Sequence, residues 1–405
     1  MPVITKRTSV VGQFAPTRNA RVDSRHLDQV ECVVSVLLSI AAAHLIGATN
    51  VAWAAFAGLL VMRGHAVDTL QRGLLRITGT VFGGALAFSL VPFLTGSMLF
   101  CAIALFVVGT TTIYMALSAR RAYAWLIFGL TFIMVLLDKV EHPHAELAAF
   151  VQARLIENAT GTAVCVLVSL ASTLTLRRWW PSARTPPMEP LGCHRRAFYH
   201  AAQGGLALAA LIIIASSIPL PAMAESAIAI IAVMLVPTAD LQASTLSPVT
   251  NRLFFRVVGC VTGGLFGYAF VLLANGAEAV LLSATAFGVA IGKYWESGEH
   301  AHRYAGTQFT FAILITLVPD DFTRATADPG WDRLLAVFIG MAMVEPVLMI
   351  SHARSLLGSR HQKSAVQKMA DPFRGGPPSD LAQSTSSCSS ADCGRPSKQT
   401  PRLHL

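Results

Sequence analysis

RGLLRITGTVFGG at residues 72–84 and RLFFRVVGCVTGG at residues 252–264 decide how the chain is organised. The two stretches align without a gap at an offset of 180 residues, pairing Arg72 with Arg252, Arg76 with Arg256, Gly79 with Gly259, Gly83 with Gly263 and Gly84 with Gly264. Almost the same offset pairs Tyr123 with Tyr304, Arg154 with Arg333 and Gly161 with Gly340. A register held across four separate places marks an internal repeat.

Each stretch opens a long apolar run, and the surrounding sequence is of the same kind. The chain is 54% hydrophobic and only 13% charged, with its charges clustered between apolar segments. That is about half the charge fraction of an ordinary soluble domain, so the class is membrane protein. The net charge of +9 belongs to segment ends and forms no continuous basic face, which excludes nucleic acid as a partner.

Apolar segments lie near 29–47, 49–62, 73–95, 97–117, 122–138 and 153–176, then near 199–218, 222–238, 253–274, 278–292, 304–319 and 333–351. A crossing helix needs about 20 residues, and most of these qualify; the second and eighth are short. Lys and Arg collect in alternate loops, as in Arg63, Arg72 and Arg76, Arg120 and Arg121, Arg252 and Arg256, Lys293 and Arg303. The intervening loops are nearly uncharged or acidic, as at 138–146 and 320–332. The positive-inside rule then gives twelve crossings with both termini cytoplasmic. The expected fold is all-α and transmembrane, about twelve helices in two six-helix repeats. An even number of crossings per unit makes the repeats parallel.

The expected divisions are a cytoplasmic N-terminal segment at 1–28, a first membrane repeat at 29–177, a linker at 178–197, a second repeat at 198–354 and a disordered cytoplasmic tail at 355–405. The first apolar run follows Lys6, Arg7, Arg18, Arg21 and Arg25 without a clear cleavage site, so it reads as a retained helix. The seven cysteines show no metal-ligand spacing and read as free thiols.

On a helix, Arg72, Arg76, Gly79 and Gly83 fall in one narrow stripe, and Arg252, Arg256, Gly259 and Gly263 repeat it. Glycines four apart let helices approach closely in lipid, so these stripes should face protein and carry their arginines inward. Inward guanidinium groups from both halves suit a carboxylate through forked hydrogen bonds. Simple anchoring with helix packing explains Arg72 and Arg252, which sit further out, better than a substrate site does, and explains Arg76 and Arg256, a turn deeper, equally well.

This arginine, followed by a G-T-x-x-G-like step at Gly79, Thr80 and Gly83 and preceded by Trp53 in an apolar segment, resembles the fusaric acid resistance and aromatic acid exporter family. The second half departs from the pattern, with Cys260 in place of the threonine and no preceding tryptophan. The resemblance implies a bacterial inner-membrane secondary transporter that exports aromatic or other organic acids by proton antiport. A passive anion channel and a non-transporting scaffold are the alternatives.

Ionisable residues at membrane depth are candidates for function by default. Glu157, three residues from Arg154, and Glu345, beside Pro346, are the candidate proton carriers. Gln308 and Glu31 are weaker candidates. Short helices at matching places in two halves point to a transport path, so Trp53 and Glu225, at the outer ends of the second and eighth segments, are candidates to line it; the simpler readings, favoured for Trp53, are an interfacial belt residue for Trp53 and a helix cap for Glu225. EHPH at 141–144 and EHAH at 299–302 look like metal sites but are out of the repeat register, and coincidence explains them. With no phosphate-binding loop, dinucleotide fingerprint or nucleophile elbow, no enzyme activity, cofactor or metal is expected. The expected partners are the bilayer and a small organic anion, with a homo-oligomer or periplasmic adaptor as further possibilities.

Overall fold

Long apolar runs bounded by glycine, proline and charge form helices because lipid leaves a backbone few other ways to satisfy its polar groups. The computed structural model describes residues 18–181, 194–236, 246–298, 302–322, 326 and 328–370. Among them are twelve α-helices and no strand: α1 (Arg18–Leu45), α2 (Val51–Val61), α3 (Ala66–Leu94), α4 (Met98–Ser118), α5 (Ala122–Glu141), α6 (Leu147–Leu174), α7 (Arg195–Ala215), α8 (Met223–Met234), α9 (Leu246–Ala274), α10 (Glu278–Glu296), α11 (Arg303–Leu317) and α12 (Asp328–Ala370). A short 3-10 turn, Leu176–Arg178, follows α6. The basic stretch before Arg18, most of the linker, EHAH up to residue 301 and the tail after Ala370 lie outside the described residues.

Among the described residues, eight helices are long and apolar enough to cross a membrane: α1, α3, α4, α5, α6, α7, α9 and α12. Length and composition thus bear out eight of the expected twelve crossings among the described residues. The short helices α2 and α8, of 11 and 12 residues, are buried by protein along most of their length. At 1.5 Å per residue they span roughly 17 and 18 Å of a hydrocarbon core about 30 Å thick. The tail also differs from expectation, since α12 continues to Ala370, past the boundary at residue 355. The segment LLGSRHQKSAVQKMA is rich in Ala, Leu, Lys, Gln and Arg, which favour a helix even without an apolar face to bury.

Two compact units divide the chain, Met1–Ala353 and Arg354–Leu405. Within the first, α3 packs on α5 and α6, α2 on α1 and α6, and α9 on α11. The glycine stripes explain the closest of these approaches. A Cβ on Gly79 would stand 2.6 Å from the Ala124 carbonyl, and one on Gly83 would collide with the Phe128 carbonyl. Gly259 and Gly263 sit in the same way on the backbones of Ala305 and Phe309 in α11. Gly161 brings α6 onto Ala54 of α2, and Gly340 brings α12 onto Ser226 and Ala229 of α8. The residues before 177 and after 197 meet along α4 with α7 and along α1 with α10, and α2 also touches α11.

Candidate functional site

A helix shorter than the hydrocarbon core leaves its terminal N–H and C=O groups inside the membrane, where each needs a partner. Both short helices are capped at both ends by side chains from elsewhere. Asp320, after α11, accepts from the Val51 amide at 2.9 Å, and Glu141, at the end of α5, accepts from the Met223 amide at 2.9 Å. At the other ends, Arg72 Nε donates to the Leu60 carbonyl at 2.8 Å and His200 Nε2 donates to the Met234 carbonyl at 2.8 Å. The N-terminal caps cross over: a carboxylate after residue 197 holds α2, and one before residue 177 holds α8. Negative charge at a helix N-terminus is also favoured by the helix dipole.

Between the capped N-termini lies a cavity of about 640 Å³, lined by Asn50, Trp53 and Phe56 on one side and by Glu225, Asp332 and Arg333 on the other. His142 and Asp320 stand at it as well. Aromatic rings form its wall, with Trp53 edge-on to Phe56 at 5.4 Å and Phe56 edge-on to Phe311 at 5.2 Å. Guanidinium groups back that wall: Arg154 lies 4.8 Å from the Trp53 ring and Arg333 lies 5.6 Å from the Phe311 ring. Arg333 Nη1 donates to Glu225 Oε2 at 3.2 Å. Asp320, Asp321 and Asp332 are exposed, so the rim is acidic while the deepest charge is the arginine.

Trp53 and Glu225 therefore meet in one cavity, whereas the four arginines of the glycine stripes do not reach it. Arg76 is buried and spent on Asn158 Oδ1 at 2.7 Å and the Tyr123 hydroxyl at 2.9 Å. Arg256 is buried against the Tyr304 hydroxyl at 3.1 Å, with its Nε unpartnered among the described residues. Arg72 and Arg252 lie over the rings of Tyr123 and Tyr304 at 3.7 and 4.5 Å. Buried guanidinium groups in lipid bind whatever polar group the neighbouring helix offers, and these found tyrosines.

Glu157 has no exposure and is sealed by Arg154 at 2.9 Å and by the Thr49 hydroxyl at 3.1 Å. Glu31 is held by Arg177 Nε at 2.7 Å and by Ser172. Gln308 is buried beside Gly259, its Oε1 unpartnered among the described residues, and does not line the cavity. Glu345 is half-buried beside the outward-facing stripe of Trp331, Leu335, Phe338 and Met349, away from the cavity. Arg333 was missed as a site residue, although its pairing with Arg154 in the repeat register was the available signal. Among the described residues, no group of three His, Cys, Asp or Glu side chains is placed to hold a metal ion.

Residues 38–168 match the family described as fusaric acid resistance protein-like. The match takes in α2 to α5 with the second part of α1 and most of α6. No curated protein and no solved structure matches the chain.

Proposed function

We propose that this chain, a multi-pass membrane protein with a fusaric acid resistance protein-like region, is a secondary transporter that exports aromatic or other organic acid anions. The cavity carries the reading: it joins an aromatic wall, Trp53 and Phe56, to a buried guanidinium, Arg333. Those are the two features an aromatic carboxylate needs, a flat apolar surface and a forked donor. In this reading the arginine-rich ends of α3 and α9 face the cytoplasm, as the positive-inside rule supports, and the cavity opens on the far side of the inner membrane.

The same reading treats the two halves as parallel repeats around one path. Supporting it, Arg76 meets Tyr123 as Arg256 meets Tyr304, and Arg154 meets the outer end of α2 as Arg333 meets that of α8. Short helices at matching places would then flank the substrate, as in other duplicated transporters.

The test is efflux of labelled 1-naphthoate from vesicles reconstituted with the purified chain, comparing wild type with Arg333→Gln. Losing a charge-assisted hydrogen bond worth about 1.5–3 kcal/mol lowers the apparent affinity by roughly 10- to 150-fold. Equal transport by both proteins at equal protein levels would overturn the site.

A further inference from the structure

Two arginine–glutamate pairs flank the short helices, and they are built differently. Arg154 and Glu157 sit on one helix, with the carboxylate fully enclosed, ion-paired to Arg154 and hydrogen-bonded by Thr49. Arg333 reaches across to Glu225 on another helix through a single bond, and Glu225 keeps about a quarter of its side chain exposed (26%), facing the cavity that Arg333 also lines; Arg333 Nε, like Nε and Nη1 of Arg154, is buried without a partner among the described residues. A guanidinium has five donors in a fixed fork, so Arg333 has donor capacity to spare at the wall of the cavity.

The charged groups facing Glu225 come from several elements. Arg333 on α12 touches it, His142 after α5 and Asp332 on α12 share its cavity, and Glu141 caps the same end of α8. Arg154 on α6 acts on it from behind the Trp53 ring. Asp320 and Asp321 stand at the rim, the former holding the Val51 amide. Glu225 is thus the carboxylate that an incoming anion would have to displace from Arg333.

We propose that the substrate anion and Glu225 compete for Arg333, and that Glu225 takes up a proton as it gives the guanidinium up. The inference rests on the transport reading above. Before the exchange the pair holds one positive and one negative charge; afterwards Arg333 holds the substrate anion and Glu225 is neutral. The proton is taken up from the bulk solvent and its buffer, so the site is neutral before and after the exchange. Keeping Glu225 ionised would leave an unpaired negative charge beside a bound anion in a half-buried site, which both burial and repulsion oppose.

Anion and proton therefore load together. The coupling is cotransport of the acid's two parts, driven outward by the acid's own accumulation, in place of the antiport expected from Glu157 or Glu345. In antiport, protonation would expel the anion.

Binding of 2-naphthalenesulfonate to the purified full chain in detergent tests this, because the probe stays ionised at every working pH and any linked proton is the protein's. Titrations across a pH series should show wild-type affinity falling by about tenfold per pH unit once Glu225 must be protonated for binding. Glu225→Gln should bind with an affinity that does not vary through that window, and Glu225→Asp should restore the slope. Binding that is flat or strengthens with rising pH in wild type, or a slope that survives in Glu225→Gln, overturns the coupling while the transport reading stands. If neither the sulfonate nor 1-naphthoate binds wild type, the cavity is no anion site, and reading and inference fall together.

Discussion

Replacing Glu157 with glutamine isolates the energetics of the sealed pair. The Arg154 side chain is 8% exposed and that of Glu157 is 0% exposed, and Nε and Nη1 of Arg154 already lack hydrogen-bond partners among the described residues. Removing the carboxylate charge leaves a buried guanidinium with the Trp53 and Phe150 rings as its remaining support. Breaking one partner of a buried ion pair costs about 3–5 kcal/mol. Glutamine keeps an oxygen that can still accept from Thr49 and Arg154, so the low end, about 3 kcal/mol, applies to Glu157→Gln. The double variant Arg154→Gln/Glu157→Gln removes both charges and should recover most of that loss, because two neutral amides carry a far smaller desolvation penalty.

Reversible unfolding of wild type, both single variants and the double variant in mixed micelles gives the coupling energy directly. The argument fails if Glu157→Gln costs less than about 1 kcal/mol, or if the double variant is no more stable than Glu157→Gln; either would mean that the pair is solvated and not sealed. A second readout separates structure from function. Since Glu157 does not reach the cavity, Glu157→Gln protein that is folded should keep the pH dependence of anion binding seen in wild type.

Other substitutions probe the packing, the caps and the aromatic wall. Gly83→Ala drives a methyl group into the Phe128 carbonyl and should destabilise by about 1–3 kcal/mol, whereas Gly264→Ala has nothing within 4 Å and should gain up to about 1 kcal/mol from helix propensity, both read by unfolding in detergent. Asp320→Ala and Glu141→Ala each remove the N-terminal cap of a short helix and should cost about 1 kcal/mol, with additive effects in the double variant because the two share no partner. Trp53→Ala should weaken binding of an aromatic acid by roughly 2- to 10-fold and leave that of an aliphatic acid of similar charge nearly unchanged, since ring contacts are worth about 0.5–1.5 kcal/mol beyond area.

What could be read from the chain is what repeats along it or is periodic within one helix. Arg76, Gly79 and Gly83 share a stripe, so their burial against protein followed from spacing, while the choice of α5 as the partner did not. The shortness of α2 and α8 followed from counting apolar residues, and with it the position of Trp53 and Glu225 at one end. Partner choice did not follow. Arg76 looked free to take a substrate because Asn158, 82 residues away on α6, gave no sign that it would accept from it. Val337 stands at the matching place in α12, leaving Arg256 Nε without that acceptor. Glu345 drew notice because of Pro346, but helical spacing from Trp331 through Phe338 to Met349 turns that side of α12 outward.

The site itself lay beyond periodicity because it is made of crossed contacts. A repeat register compares Arg76 with Arg256 and Arg154 with Arg333, each within its own half. It says nothing about Asp320 reaching Val51 across 269 residues, or Glu141 reaching Met223 across 82. Those caps make the N-terminus of each short helix depend on a carboxylate contributed by the other half. A motion that separates the halves at this end must therefore release two helix caps together, at a cost of about 1 kcal/mol each. It must also move Arg333 relative to the wall formed by Trp53 and Phe56. Under the proposal made above, opening the cavity and exchanging the partner of Arg333 would be parts of one rearrangement, and the Glu225–Arg333 bond at the cavity, not the enclosed Arg154–Glu157 pair, would be the one to respond to an anion.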